Sequence, residues 1–167
     1  MVEEDFDDTR ISAENASRSL RNAADGGHLE VVRELLRRYG DLVNVEDAGL
    51  ALHYAARWGH LKVVREFAER YGDISAEVAG VALRSAAAWG HLEAVRELAG
   101  RYGDHIGVEG AGWALRSAAR WGHLEVVRVL LERYGDDIDE DTRAIVLRRW
   151  PELENDDLGP KSAAKLS

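Results

Sequence analysis

Four histidines recur at a regular spacing, at positions 28, 60, 91 and 123, and imidazole is the commonest metal ligand in proteins. Each follows a glycine, and the spacings are 32, 31 and 32 residues. Neighbouring helices pack about 8–10 Å apart, whereas the ligands of one ion all lie within about 2 Å of it. Histidines from successive repeats therefore cannot converge on one ion, and the spacing predicts a structural role and no metal site.

Other reactive side chains form no catalytic pattern. Most carboxylates are explained by helix starts and surface ion pairs. Four serines fall in predicted helices without an obvious base: Ser17, Ser19, Ser85 and Ser117. No Ser-His-Asp arrangement, glycine-rich phosphate loop or metal motif stands out. The sequence therefore predicts a protein that is not an enzyme, with no catalytic residue and no cofactor.

Tryptophans with the same period are the strongest candidates for function. Trp58, Trp89 and Trp121 each precede a Gly-His pair, and Arg57 and Arg120 stand beside two of them. Stacked helices would set the indoles in a row at steps of about 10 Å, too far apart to stack but able to clasp arginines. Two interpretations stay open with equal weight. The row is either packing held by cation–π contacts or a partner-binding surface, since tryptophan and arginine are enriched at binding hot spots.

Composition narrows the classes of partner. The chain has 167 residues, no cysteine, 46% hydrophobic residues and a net charge of −9, which is globular composition with an acidic balance. An acidic surface repels phosphate backbones, and no segment is apolar enough for a signal peptide or a bilayer span. We expect an intracellular, cytoplasmic protein that binds another protein and neither nucleic acid nor membrane. Its oligomeric state stays open.

A repeat of 31 or 32 residues must position these side chains. Apolar landmarks recur at Ile11, Val43, Ile74, Ile106 and Ile138, each followed nine residues later by a leucine. A fixed period of this length is typical of a stacked repeat protein. It predicts an acidic tail (1–10), repeats at about 11–42, 43–73, 74–105 and 106–137, a cap (138–153) and a loose tail (154–167).

Each repeat reads as two helices. N-cap residues are predicted at Ser12, Asn44, Ser75, Gly107 and Asp139. An alanine-rich helix follows and ends at the glycine of Gly-His, and an amphipathic second helix such as "HLEAVRELAGRYG" (91–103) buries Val95 and Leu98. We expect i,i+4 ion pairs at Glu34–Arg38, Glu66–Arg70 and Glu97–Arg101, and left-handed C′ glycines at Gly40, Gly72, Gly103 and Gly135.

The segment "ALHYAARWGHLKVVREF" (51–67) resembles the helical part of an ankyrin repeat, through Leu52, His53, Ala55, Ala56, Gly59, His60, Val63 and Val64. The resemblance covers roughly residues 12–136, with two departures. The Thr-Pro that opens the family's first helix is missing throughout, and the family's histidine after the leucine is Arg21, Arg84 or Arg116 in other repeats. We expect an all-α solenoid of four helix-turn-helix ankyrin-like repeats plus a C-terminal capping helix, with the family's β-hairpin fingers reduced or absent.

The resemblance also implies function. In such repeats the two positions before Gly-His face a concave groove that grips partners, and the histidine helps to fix the turn between helices. The leading expectation is a non-enzymatic protein-binding module whose partner-binding residues are Arg57, Trp58, Trp89, Arg120, Trp121, Arg84, Arg116 and Trp113, with the arginines suited to acidic residues of the partner. The alternatives are a structural or designed repeat scaffold without an evolved ligand, and a small-molecule binder or enzyme with a tryptophan-lined groove.

Overall fold

The structure, a computed structural model, describes residues 12–72 and 74–156, and these form helices and turns without any strand. The helices are α1 (Ala13–Asp25), α2 (Leu29–Tyr39), α3 (Val45–Arg57), α4 (Leu61–Arg70), α5 (Ala76–Ala88), α6 (Leu92–Trp121), α7 (Leu124–Tyr134), α8 (Glu140–Arg149) and α9 (Leu153–Asp156), with a 3₁₀ turn at Gly40–Leu42. The predicted tail 1–10 lies outside the described residues, as does the predicted tail 154–167 from residue 157 onwards.

The helices form two layers. The first helices α1, α3 and α5, the part of α6 after Gly107, and α8 pack side by side in chain order. The second helices α2 and α4, the part of α6 before Gly107, and α7 form the other layer. The predicted all-α solenoid of helical repeats is therefore confirmed. In the described residues no β-hairpin finger stands between repeats, since first helices of 13 residues take up that part of the chain.

Short polar residues begin the first helices and small residues pack them. The side chains of Ser12, Asn44, Ser75 and Asp139 each accept a hydrogen bond from the backbone N–H three residues on, as predicted for N-caps. Alanines fill the layer behind them, as in α5, where Ala79, Ala82, Ala86 and Ala87 are fully buried. Side chains this small let neighbouring first helices approach closely, and the layer gains its stability from that contact.

Gly107 breaks this pattern. It was predicted to cap a new helix, but helical structure runs from Leu92 to Trp121 with Gly107 as the one non-helical residue inside, at φ 65° and ψ −178°. Asn44, Ser75 and Asp139, which stand at the same place in other repeats, have negative φ. A residue with a Cβ rarely adopts the Gly107 conformation, so glycine is what turns the chain here from the second layer to the first.

Carboxylates of the second helices link repeats more often than predicted. Glu34 does bond Arg38, but Glu66 accepts from Arg33 at 2.8 Å and Glu97 accepts from Arg65 at 2.7 Å. The two other predicted i,i+4 pairs are therefore wrong. The packed neighbouring helix brings an arginine of the preceding repeat within reach, and Arg70 instead donates to the carbonyl of Leu36 at 3.1 Å. These contacts are partly exposed, and each is worth little by itself.

The glycines that follow the second helices serve close approach. Gly40 and Gly135 have right-handed helical φ and ψ, Gly103 lies inside α6, and Gly72 has no positive φ, so the predicted left-handed C′ role is wrong. A Cβ atom on Gly103 would lie 2.1 Å from Nε of Arg133, and one on Gly40 would lie 2.4 Å from Nη2 of Arg70. At these two positions the missing side chain makes room for an arginine of the next repeat.

Leu98 tests the packing between repeats. Its side chain is fully buried in the core, so we expect Leu98→Ala to lower the free energy of unfolding by about 2–5 kcal/mol through lost burial and a cavity. Leu42→Ala is the control, because that leucine is 46% exposed and should cost less than about 0.5 kcal/mol. Urea unfolding followed by circular dichroism measures both. Equal midpoints for the two variants would contradict this assignment of the core.

Candidate partner-binding surface

A histidine–carbonyl hydrogen bond between repeats fixes the turns that carry the tryptophans. Nε2 of His60, His91 and His123 donates to the backbone carbonyls of Asp25, Arg57 and Ala88 at 2.9, 3.0 and 3.0 Å. Each carbonyl belongs to the last residue of the preceding first helix, where no further helical N–H can reach it. The three imidazoles therefore donate hydrogen bonds between repeats. The residues whose carbonyls accept these bonds directly precede Gly26, Trp58 and Trp89.

The same imidazoles lie against glycines of the preceding turn. Gly59 and Gly90 have φ of 70° and 73°, a backbone conformation that favours glycine. A Cβ atom on either would lie 2.5 Å from Nδ1 of the histidine in the next repeat, His91 or His123. Glycine is thus favoured at these turns for two reasons: the backbone has a positive φ, and a Cβ atom would clash with the imidazole ring that covers the turn.

Trp58, Trp89 and Arg57 form one cluster at the carboxyl ends of α3 and α5. The indole centroids are 5.9 Å apart with 33° between their planes, so the expected 10 Å step and the absence of ring contact are wrong for this pair. The guanidinium carbon of Arg57 lies 5.4 Å from the Trp58 ring and 5.9 Å from the Trp89 ring. Trp58 also donates from Nε1 to Asp25 at 2.8 Å. Side chains that reach across the helix spacing bring the rings together, although their helices are a full packing distance apart.

Trp121 stands apart from this cluster. It is 65% exposed, against 47% for Trp58 and 53% for Trp89. Within residues 12–72 and 74–156 no ring or cation–π contact includes Trp121 or Arg120. The sequence offers a reason, since Ala88 occupies the place in its repeat that Arg57 occupies one repeat earlier.

The remaining predicted residues meet further along the first helices. Arg116 lies 4.6 Å from the Trp113 ring and pairs with Asp139 at 3.7 Å. Trp113 and Arg84 line an open groove of about 450 Å³ between α5 and the second part of α6. Gly80 and Gly110 form part of its floor, and Glu77 and Glu109 line it as well. Six of the eight predicted residues therefore fall into two groups, and the other two, Arg120 and Trp121, are exposed at the carboxyl end of α6.

Sequence reasoning singled out Trp113 but missed the stripe of exposed apolar side chains to which it belongs on the first helices. Leu50, Trp113 and Ile145 occupy the same repeat position and are 43%, 50% and 38% exposed. Val45 and Val108 extend the stripe towards the helix starts, also exposed. The sequence could have revealed this stripe, because large apolar residues recur at one repeat position that does not belong to the buried face of α3 or α6. Large apolar side chains that are left exposed at a repeated position are candidates for an interaction surface.

Two family models match the chain. The model described as ankyrin repeats (3 copies) matches residues 4–78, and the model described as ankyrin repeat matches residues 113–143. Together they span well over half of the sequence. The chain belongs to the ankyrin repeat family. A comparison with curated proteins found no match.

Residues 79–112 lie between the two matched ankyrin segments and yet keep the ankyrin turn. His91 bonds the preceding repeat as His60 and His123 do, and Gly90 has the same positive φ. This stretch also contains the Gly107 break and Trp89. Residues 79–112 therefore retain the contact that aligns the repeats, and they include the break at Gly107 between repeats three and four. No helix in the described ranges is long and apolar enough to cross a bilayer.

His53 is the ankyrin-type histidine at the position where other repeats of this chain have arginine, and it lies near the cluster. Its Nδ1 is 3.1 Å from Oγ of Ser85, which joins α3 to α5. Burial lowers the pKa of His53 below its ordinary value, and the positive charges of Arg57 and Arg84 lower it further, against a hydrogen bond with the Val81 backbone. The neutral imidazole is therefore favoured beside two predicted partner-binding arginines.

The pKa of His53 should report on Arg57. Titration followed by NMR should give His53 a pKa below about 6.5, the usual value for histidine. Arg57→Gln should raise that pKa, because a nearby positive charge is removed, without restoring the ordinary value, because burial remains. Arg120→Gln removes the same charge at the equivalent place two repeats away and should leave the titration unchanged. An unshifted His53 in Arg57→Gln would contradict the stated cause.

The histidine contact between repeats should stabilise the fold. His91→Ala leaves the Arg57 carbonyl without its donor, so we expect a loss of about 1–3 kcal/mol in the free energy of unfolding. His105→Ala is the matched control, since His105 is exposed and should change stability by no more than about 0.5 kcal/mol. Urea denaturation compares the two variants, and similar midpoints would remove the histidine contact as a stabilising feature.

Proposed function

We propose that this chain is a protein-binding module without enzymatic activity. It binds its partner through the exposed side of the layer of first helices and the tryptophans at the ends of these helices. Ankyrin repeats generally mediate protein–protein interaction. The proposed contact residues are Arg57, Trp58, Trp89, Arg120, Trp121, Arg84, Arg116 and Trp113. The net charge of −9 favours a protein partner over a nucleic acid.

The observation that carries this proposal is the exposure of four indoles on one layer of the solenoid. Trp58, Trp89, Trp113 and Trp121 are each between 47% and 65% exposed. The free energy of burying these rings is not gained when the chain folds, because much of their surface stays in water. That free energy becomes available when a partner covers the rings, and hot spots at interfaces are enriched in tryptophan and arginine.

The polar groups around the indoles support the same use. Arg57 is held against two rings and Arg116 against one, so these guanidinium groups are partly pre-positioned. Ordering them on binding therefore costs less side-chain entropy than ordering free arginines would. Exposed Leu50 and Ile145 on the same helix face add apolar area beside them.

The tryptophan row can be tested with a three-site variant. Trp58→Ala, Trp89→Ala and Trp121→Ala together should abolish capture of the partner from cell lysate by the immobilised protein. For an identified partner, each single change should weaken binding by at least about 1–2 kcal/mol, which corresponds to a Kd about fivefold to thirtyfold higher. Calorimetry measures these constants, and circular dichroism should find folding nearly intact because the rings are exposed.

The matched control removes apolar side chains from another part of the surface. Val31 and Leu42 are 51% and 46% exposed, and the double variant Val31→Ala, Leu42→Ala should keep the partner. If this control variant failed to capture the partner to the same extent as the tryptophan variant, nonspecific hydrophobic binding would explain the capture and the proposed site would be wrong. Early melting of the tryptophan variant would point instead to the packing interpretation of the row.

A further inference from the structure

The cluster of Arg57, Trp58 and Trp89 shows how this solenoid accommodates a cation between successive tryptophans. The guanidinium carbon lies within 6 Å of both ring centroids, at 5.4 and 5.9 Å, which is the range of a cation–π interaction. The two indoles also contact each other at 5.9 Å. One arginine thus bridges the indoles of two neighbouring repeats.

The next pair of tryptophans has the same framework without the arginine. His123 bonds the carbonyl of Ala88 just as His91 bonds that of Arg57, so both turns are aligned in the same way. Ala88 has no side chain that could reach either indole. Trp89 and Trp121 make no ring contact with each other among the described residues, and they are the two most exposed tryptophans of the row.

We propose that an arginine side chain of the partner protein occupies the place beside Trp89 and Trp121 that Arg57 occupies beside Trp58 and Trp89. This rests on the proposed function and names the chemistry of its partner, a segment with an exposed arginine. Arginine fits better than lysine, because its planar guanidinium stacks on aromatic faces and is less strongly hydrated. Trp89 and Trp121 are exposed on turns that the same histidine contact aligns, so little ordering of the two indoles is needed when a cation binds.

The charge of the chain as a whole favours a basic segment. The net charge of −9 adds long-range attraction for a basic partner. The exposed carboxylates Glu77 and Glu109 line the groove between α5 and the second part of α6, about 18 Å along these helices from Trp89 and Trp121, so they do not contribute at short range.

The probe is the capped tripeptide Ac-Arg-Leu-Arg-NH2, and its analogue with citrulline at both arginine positions keeps the shape without the charge. Binding to the full chain is followed by NMR at the indole N–H groups, assigned with single tryptophan variants. We expect the arginine peptide to move the Trp89 and Trp121 signals most, with a Kd at least about fivefold below that of the citrulline peptide. The Trp58 signal should move least of the three, since Trp58 is not one of the two indoles that border the proposed arginine site.

Two variants of α5 provide the decisive comparison. Ala88→Arg supplies the cation from the chain itself, so it should shift the Trp121 signal without peptide and weaken peptide binding at least about fivefold. Ala76→Arg adds the same charge to the same helix about 18 Å away and should leave the Kd within about twofold. If Ala88→Arg fails to fold, Trp121→Ala replaces it and should weaken binding by the same factor.

Several outcomes would overturn the inference. The first two are that the citrulline peptide binds with the same Kd as the arginine peptide, and that the peptide moves the Trp58 or Trp113 signal most. The other two are that Ala88→Arg and Ala76→Arg change the Kd equally, and that no indole signal moves up to about 20 mM peptide, a concentration above the Kd range of such weak contacts. If the lysate partner still depends on the tryptophans in any of these cases, the proposed function stands and only the arginine is wrong. If the partner is captured without the tryptophans, the proposed function itself fails.

Discussion

The hydrogen bond from a histidine ring to the last carbonyl of the preceding first helix is the contact on which this solenoid depends. It satisfies a helix-end carbonyl that would otherwise need water, and it ties each repeat to its neighbour at a fixed height. It also explains the glycines before His28, His60 and His91, because the histidine ring of the next repeat lies where a Cβ atom would be. In a structure stabilised by nearest neighbours, one such contact per interface is enough to set the register of the stack.

The tryptophans depend on that register. Trp58 and Trp89 directly follow the bonded carbonyls of Arg57 and Ala88, so these two turns present their indoles at the same place. What differs is the residue before each indole. At Arg57, a cluster forms with the indole of the next repeat; at Ala88, Trp89 and Trp121 make no ring contact with each other among the described residues, and both are more exposed than Trp58. A single difference inside the repeated phrase, Arg57 against Ala88, thus accompanies the change from a packed pair of indoles to an open one.

Close packing of the first layer has a second consequence. The alanines and Gly80 that let α5 approach α6 leave little side-chain volume above the contact, and the groove beside Trp113 opens there. The second layer is built differently, with larger buried residues such as Phe67 and Leu98 and with ion pairs between repeats on its surface. The layer that packs most tightly is thus the one that offers an indented surface to a partner.

The repeat period, the helices, most of the N-caps and the structural role of the histidines followed from the sequence alone, because these depend on residues within a few positions of one another. Leu98 was assigned to the core for the same reason. The partners of Glu66 and Glu97, the contact of Trp58 with Trp89 and the isolation of Trp121 were decided only by the tertiary structure. Each depends on how far a side chain reaches across the space between stacked helices, and residues about 32 positions apart leave no local signal of that distance.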